Sequence, residues 1–405
     1  MTQRTRQSPE PHYSFTIPSI HDDMTLDCRI YHPAALNTSD AASKTRWRKR
    51  GIIMAHPYAP MGGSYDDRVV GIVVDESLKA GWIVGSFNFR GAHGSKGRTS
   101  WSGKPELEDY SSFAAFFLHY MCYLQPSPIS DIPFTPEQSP VSLLSHSSGD
   151  STRTRSGEPP VVILGGYSYG SLILKHLPPL PTILHPFSCP ITGSAADEIL
   201  LRAHKLAGQS SLEWKNFARE QAREKRRKPG HEPKLSVTMG GEETSAYQRR
   251  SSREIRRSFD GSRSLDLKTR IRSLSHRRLA EEGPVSPLEE TKNVDVTVAE
   301  VRYLLISPLT SPISTLAAPA LGHKFWSRPS EGYQEVVGKH AALAIYGDQD
   351  IFASAKKIHD WAEHLKAGPE SQFIGVEVEG AGHFWIEAGV ERTLRATLRD
   401  WVAEI

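Results

Sequence analysis

The sequence is poor in cysteine and has no long apolar run, and both absences narrow its function class. Three cysteines in 405 residues, Cys28, Cys122 and Cys189, lie far apart and form no Cys-x-x-Cys pair. They offer neither a disulfide framework nor a zinc-binding spacing, and they fit a reducing compartment. No uninterrupted apolar stretch approaches twenty residues, which argues against a membrane-spanning helix, and Met1 to Pro11 is polar, with no apolar core of a secretion signal. A cytoplasmic location is therefore expected. Hydrophobic residues make up only 38% of the chain, little for a compact protein of this length, so part of it is expected to lie outside any core.

The net charge of +3 is small but unevenly spread. Lys215 to Arg278 holds nineteen Lys/Arg against eight Asp/Glu, a local surplus of eleven positive charges, which leaves the rest acidic by eight. The basic stretch nearly lacks aromatic residues for base stacking (Tyr247 and Phe259) and shows no recognition fold, so nucleic acid is not an expected partner. Arginines just before Ser251, Ser258 and Ser273 mark possible kinase sites. The stretch from Arg219 to Val285 loses hydrophobic periodicity and is expected to be a solvated, disordered insertion. Residues 125–160, rich in Ser and Pro, are expected to form a second flexible insertion.

The remaining chain alternates strands and helices. Tyr13 to Pro18 and Met24 to Tyr31 read as an opening hairpin. Strands are expected at Gly51 to Ala55, Trp82 to Phe87, Val161 to Leu164, Val301 to Ile306, His340 to Tyr346 and Phe373 to Val378. Helical spacing marks Asp66 to Ala80, Leu107 to Leu124, Ser171 to Leu177, Ala195 to Phe217, Ala353 to Leu365 and Ile386 to Val402, whereas Pro178 to Pro190 is proline-studded and reads as irregular. Strand–helix alternation predicts a doubly wound, mostly parallel α/β sheet.

Within that pattern, Gly166-Tyr167-Ser168-Tyr169-Gly170 joins a buried strand to a helix. A serine in this context sits on a turn so tight that the residues two before and two after it crowd each other, and here both are glycine. The serine hydroxyl needs a base, and the base needs an orienting carboxylate. Two later strands run into Gly347-Asp348-Gln349-Asp350 and Gly380-Ala381-Gly382-His383, which supply them in the chain order Ser, Asp, His. Asp350 is preferred to Asp348, which is expected to cap the following helix.

With His56-Pro57…Gly62-Gly63 and Phe87-Asn88-Phe89-Arg90-Gly91…Gly94-Ser95…Gly97, these motifs resemble the α/β-hydrolase superfamily. The likeness is greatest to small predicted hydrolases related to dienelactone-hydrolase and prolyl-oligopeptidase-type esterases, over about Gly51 to Thr182 and Val301 to the end. The resemblance implies Ser168 as nucleophile, His383 as base and Asp350 as its orienter. It further implies an oxyanion hole from the backbone N–H of Tyr169 and one from the loop after the third strand. Pro57 has no N–H to give, so Tyr58 is chosen, with Ala59 second. The alternative is that His56-Pro57 merely shapes that turn; Arg90-Gly91 reads as scaffold, and His93 as an ordinary loop histidine.

The domain is expected to run over 1–183 and 294–405, interrupted by 184–293, of which 184–217 is a partial cap over the site or a helix packing elsewhere on the domain, and 218–293 a disordered basic segment. A small acyl compound is the expected substrate, and no metal or organic cofactor is implied. The competing class is a non-catalytic scaffold whose Arg/Ser segment binds partners. Thioester or acyl transfer and peptidase activity on the same triad are not separable by sequence, because no readable code fixes the acyl pocket.

Overall fold

The computed structural model describes residues 9–37, 47–124, 159–227, 299–310, 317–318 and 335–405. The expected 125–160 insertion lies outside these residues except for its last two, and so does the basic segment beyond Arg227. Eight strands form one sheet: β1 (Tyr13–Pro18), β2 (Thr25–Tyr31), β3 (Arg50–Ala55), β4 (Ile83–Phe87), β5 (Val161–Tyr167), β6 (Glu300–Ile306), β7 (Ala342–Gly347) and β8 (Phe373–Val378). Their order is β1-β2-β4-β3-β5-β6-β7-β8. The opening hairpin pairs β1 with β2 antiparallel, β2 joins β4 antiparallel, and every later pairing is parallel. This is the doubly wound, mostly parallel α/β sheet that the strand–helix alternation predicts.

The helices in chain order are α1 (Arg68–Lys79), α2 (Lys104–Tyr123), α3 (Tyr169–Lys175), α4 (Leu180–Ser188), α5 (Ala195–Arg227), α6 (Glu335–Lys339), α7 (Ala355–Lys366) and α8 (Val390–Ala403). They cover both faces, which is why the central strands are nearly continuous apolar runs rather than alternating ones. One face packs Val69, Val70 and Val73 of α1 with Leu394 and Leu398 of α8, around Trp82 and Trp385. The other packs the aromatic side of α2 (Phe113, Phe116, Phe117) with α3, α4 and α5. Phe117 lies flat on the sheet because two of its neighbours lack side chains: a Cβ on Gly51 would come within 2.6 Å of its ring, and one on Gly85 within 2.8 Å.

Two expectations are corrected. The proline-studded stretch contains a helix, α4, with Pro181 near its start, where a missing N–H removes no bond, and Pro186 further in. Helix α5 does not end near Phe217 but continues to Arg227, carried by Ala, Glu, Gln, Lys and Arg, all good helix formers. Of the two readings of 184–217, a helix packed on the domain is the one its buried side chains follow. Helix α5 buries Ile199, Ala203, Ala207 and Trp214 in the core shared with α2 and β1. Ser210 sits between the hydroxyls of Tyr13 (2.9 Å) and Tyr120 (3.0 Å), so a polar bond fixes the same docking. An amphipathic helix goes to the largest apolar surface it can cover, here the exposed side of α2 and the β1 edge.

Candidate active site

Strand β5 ends at Tyr167 and α3 begins at Tyr169, so Ser168 alone makes the turn between them. Its φ of 56° and ψ of −112° lie where side chains are strained by about 1–3 kcal/mol. Sterics and hydrogen bonds hold it there. A Cβ on Gly166 would meet the carbonyl carbon of Gly170 at 2.3 Å, and one on Gly170 would meet Ala55 O at 2.6 Å, so only glycine fits at either place. The Ser168 N–H donates to Ile306 O on the neighbouring strand (2.9 Å). Ser171 donates back to Gly166 O (2.6 Å), stapling the turn from within.

The Ser168 Oγ lies 2.8 Å from His383 Nε2, and His383 Nδ1 lies 2.7 Å from Asp350 Oδ2. The carboxylate requires a proton on Nδ1, which leaves Nε2 as the acceptor facing the serine hydroxyl. The other oxygen of Asp350 accepts the N–H groups of Phe352 (2.8 Å) and Ala353 (3.0 Å), so the carboxylate is fixed and fully buried. Serine and histidine are buried almost as deeply, at 6% and 4% exposure, which strengthens the electrostatics of this relay.

Asp348, two residues from Asp350, does a different job from the one expected. The cap of α7 is Ser354, whereas Asp348 accepts the Gly380 N–H at 2.7 Å. It thereby ties the turn after β7 to the loop that carries His383. That loop has three further ties. Tyr167 donates its hydroxyl to His383 O (2.9 Å) and stacks on the imidazole, Trp385 donates its indole N–H to Ser307 Oγ (3.0 Å), and Arg68 donates to Trp385 O (2.9 Å). Sequence reasoning missed Tyr167, Ser171, Ser307, Trp385 and Arg68 in these roles.

The loop after β3 meets the elbow directly: the rings of Tyr58 and Tyr169 pack edge to face at 5.1 Å. Among the described residues the backbone N–H groups of Tyr58 and Tyr169 donate to no protein acceptor. The Tyr169 N–H opens α3, where the first turn leaves donors free. His56 braces this loop. Its Nδ1 donates to Pro57 O (2.6 Å), and its Nε2 accepts the Phe89 N–H (2.9 Å) from the loop after β4. Burial lowers its pKa to about 4, so it is a neutral bridge that shapes the turn. Ala59, the second choice, stands at the start of the following 3₁₀ turn.

Arg90 is scaffold, as expected. Its guanidinium donates to both oxygens of the buried Asp109 (2.9 and 2.6 Å) and to Asp22 (2.9 Å), joining the hairpin turn to α2. His93 is an exposed loop residue whose Nδ1 lies 4.0 Å from Asp27. Among the described residues no group of three or more His, Cys, Asp or Glu is arranged to hold a metal, and no helix is long and apolar enough to cross a membrane.

The sequence matches no family model and no curated protein. Solved structures similar to the chain include an α/β serine hydrolase homologue from Coxiella burnetii, at 13% identity and TM-score 0.42, covering 97% of this chain and 99% of that one. An α/β serine hydrolase without a lid from Xanthomonas campestris has 14% identity and TM-score 0.45 over 98% and 97% of the two chains. An esterase from Pyrococcus furiosus has 11% identity and TM-score 0.42, covering 98% of this chain and 92% of that one.

Proposed function

We propose that this chain is a cytoplasmic serine hydrolase that cleaves an ester or similar small acyl compound through an acyl-enzyme intermediate. The observation that carries the reading is the relay from Ser168 to His383 (2.8 Å) and on to Asp350 (2.7 Å) at the carboxyl ends of β5, β8 and β7. In the first half-reaction the Ser168 oxygen attacks the acyl carbon while His383 Nε2 takes the hydroxyl proton. Asp350 stabilises the imidazolium that forms and stays ionised. The oxyanion of the tetrahedral intermediate accepts the N–H groups of Tyr58 and Tyr169, worth about 10²–10³ in rate for each well-aimed donor. Collapse breaks the bond to the leaving oxygen, which takes the proton from His383 and departs as the alcohol. In the second half-reaction water attacks the Ser168 ester, gives its proton to His383, and releases the acid when that proton returns to Ser168.

The organisation that accompanies this reading is one hydrolase domain over 1–183 and 294–405, with 184–293 inserted. Rapid-quench or stopped-flow hydrolysis of p-nitrophenyl acetate tests it. A burst of nitrophenol stoichiometric with enzyme is expected from wild type and none from Ser168→Ala; steady hydrolysis by the folded alanine variant at the wild-type rate would refute the assignment.

A further inference from the structure

Each functional loop of the site carries a large apolar side chain turned to solvent. Ile351 follows Asp350 and is 78% exposed, Phe384 follows His383 at 45%, Ile386 stands two residues further on at 68%, and Met61 lies three residues after Tyr58 at 65%. All four are on the loops after β3, β7 and β8, at the sheet end where Ser168 tops β5. The outward turn of Phe384 and Ile386 has a cause. Trp385 between them is fully buried, its backbone at φ 57° and its indole bonded to Ser307, which sends both neighbours the other way. Phe352 continues the apolar surface inward, its ring packing on both His383 (4.8 Å) and Phe384 (5.8 Å).

Single exposed apolar residues are ordinary, but a set grouped around one reactive centre marks a contact surface. The charge pattern narrows what it contacts. Residues 56–63, 347–354 and 380–389 contain no Lys or Arg. Their carboxylates are Asp350, in the relay, Asp348, held by the Gly380 N–H, and Glu387, so these loops offer an anionic substrate repulsion, and the neighbouring Arg68 is engaged by Trp385 O and Glu391. The side chains are also too exposed to wrap a dissolved chain; they suit insertion into an apolar phase. Helices α4 and α5 pack with α2 instead of covering this surface.

We propose, resting on the hydrolase reading above, that the site takes neutral, water-insoluble esters from the surface of a droplet or micelle, with Met61, Ile351, Phe384 and Ile386 seated in the ester phase. The test has two arms. In the first, wild-type hydrolysis of tributyrin is followed through its solubility limit, and the rate should climb at least about threefold above its dissolved plateau once droplets form. In the second, Ser168→Ala is sedimented with tributyrin droplets, with and without Ile351→Ser and Ile386→Ser. The Ser168→Ala protein should partition onto the droplets, and the added substitutions should cut partition about tenfold or more, the loss expected when two aliphatic side chains leave an apolar phase. Unaltered melting temperature keeps that loss from being an unfolding effect, since both positions are exposed. A rate that levels off below the solubility limit, with Ser168→Ala left in the aqueous phase, would overturn the proposal. The partition arm needs no turnover, so it fails or succeeds independently of the hydrolase reading, which a missing nitrophenol burst would sink on its own.

Discussion

Ser168 and His383, the proposed nucleophile and base, are held in place by different balances of steric confinement and hydrogen bonding. At the elbow the strain sits on the reacting residue: Ser168 has φ 56°, and flanking glycines leave the chain no other course. In the His383 loop His383 itself has ordinary backbone, and the positive φ values fall on Gly380, Trp385 and Gly389. There several hydrogen bonds, from the Gly380 N–H to Asp348, from Tyr167 to His383 O and from Arg68 to Trp385 O, join one close glycine approach, Gly347 against Ala381 O. Steric confinement fails all at once when an atom is added, whereas a loop tied at several points loosens by degrees.

The largest effect tests the relay that both regions serve. Ser168→Ala and His383→Ala should each lower ester turnover by at least about 10⁴-fold, and Asp350→Asn by about 10⁴-fold because the amide fixes the wrong imidazole tautomer. Asp348→Asn keeps a side-chain oxygen for the Gly380 N–H and should cost no more than about tenfold. Steady-state kinetics on one soluble ester checks all four; equal losses at the two aspartates would contradict their separate roles.

Next comes the elbow. Gly170→Ala adds a methyl within 2.6 Å of Ala55 O, which is backbone and cannot swing aside. Turnover should fall about 10²-fold, as a displacement near 1 Å at the reacting group does, with about 1–3 kcal/mol of stability lost to overpacking. Tyr167→Phe removes one tie of several on the His383 loop, and its cost should be smaller, about tenfold in kcat with little change in KM. If Tyr167→Phe proved the more damaging, the contrast between steric and hydrogen-bonded positioning would be wrong.

The smallest effect concerns stability and acid. Burial lowers the pKa of His32 to about 3 and of His56 and His119 to about 4, against 6.5 in the unfolded chain. Each is neutral when folded, so the unfolded state binds more protons as pH falls. The stabilisation from neutral burial is complete above about pH 6.5 and is lost progressively toward pH 4, by about 1.4 kcal/mol per pH unit for each histidine. Melting temperature should accordingly drop between pH 7 and pH 5, and a flat profile would show that these imidazoles are not buried neutral.

Much of this was legible in the sequence because its causes are local. The glycines around Ser168, and the glycines before Asp348 and His383, announce turns whose geometry few other residues permit, and an apolar run of six announces a buried parallel strand. What was not legible depends on partners distant in the chain. Nothing near Asp348 says that it holds Gly380 rather than a helix end, and Arg68 reaches Trp385 across 317 positions. Helix α5 was legible as a helix but not in its place, since an amphipathic stripe does not name the surface it will cover. Its extension to Arg227 was hidden for another reason: charged helix formers carry no hydrophobic period to read.

The central claim, that Ser168 is a nucleophile activated by His383 and Asp350, is tested most directly by reacting the folded protein with a fluorophosphonate and mapping the adduct by mass spectrometry. One adduct per chain on Ser168, lost in Ser168→Ala and strongly slowed in His383→Ala, is the result this geometry predicts. A folded wild-type protein that stays unlabelled, or that carries its label on another residue, would contradict it.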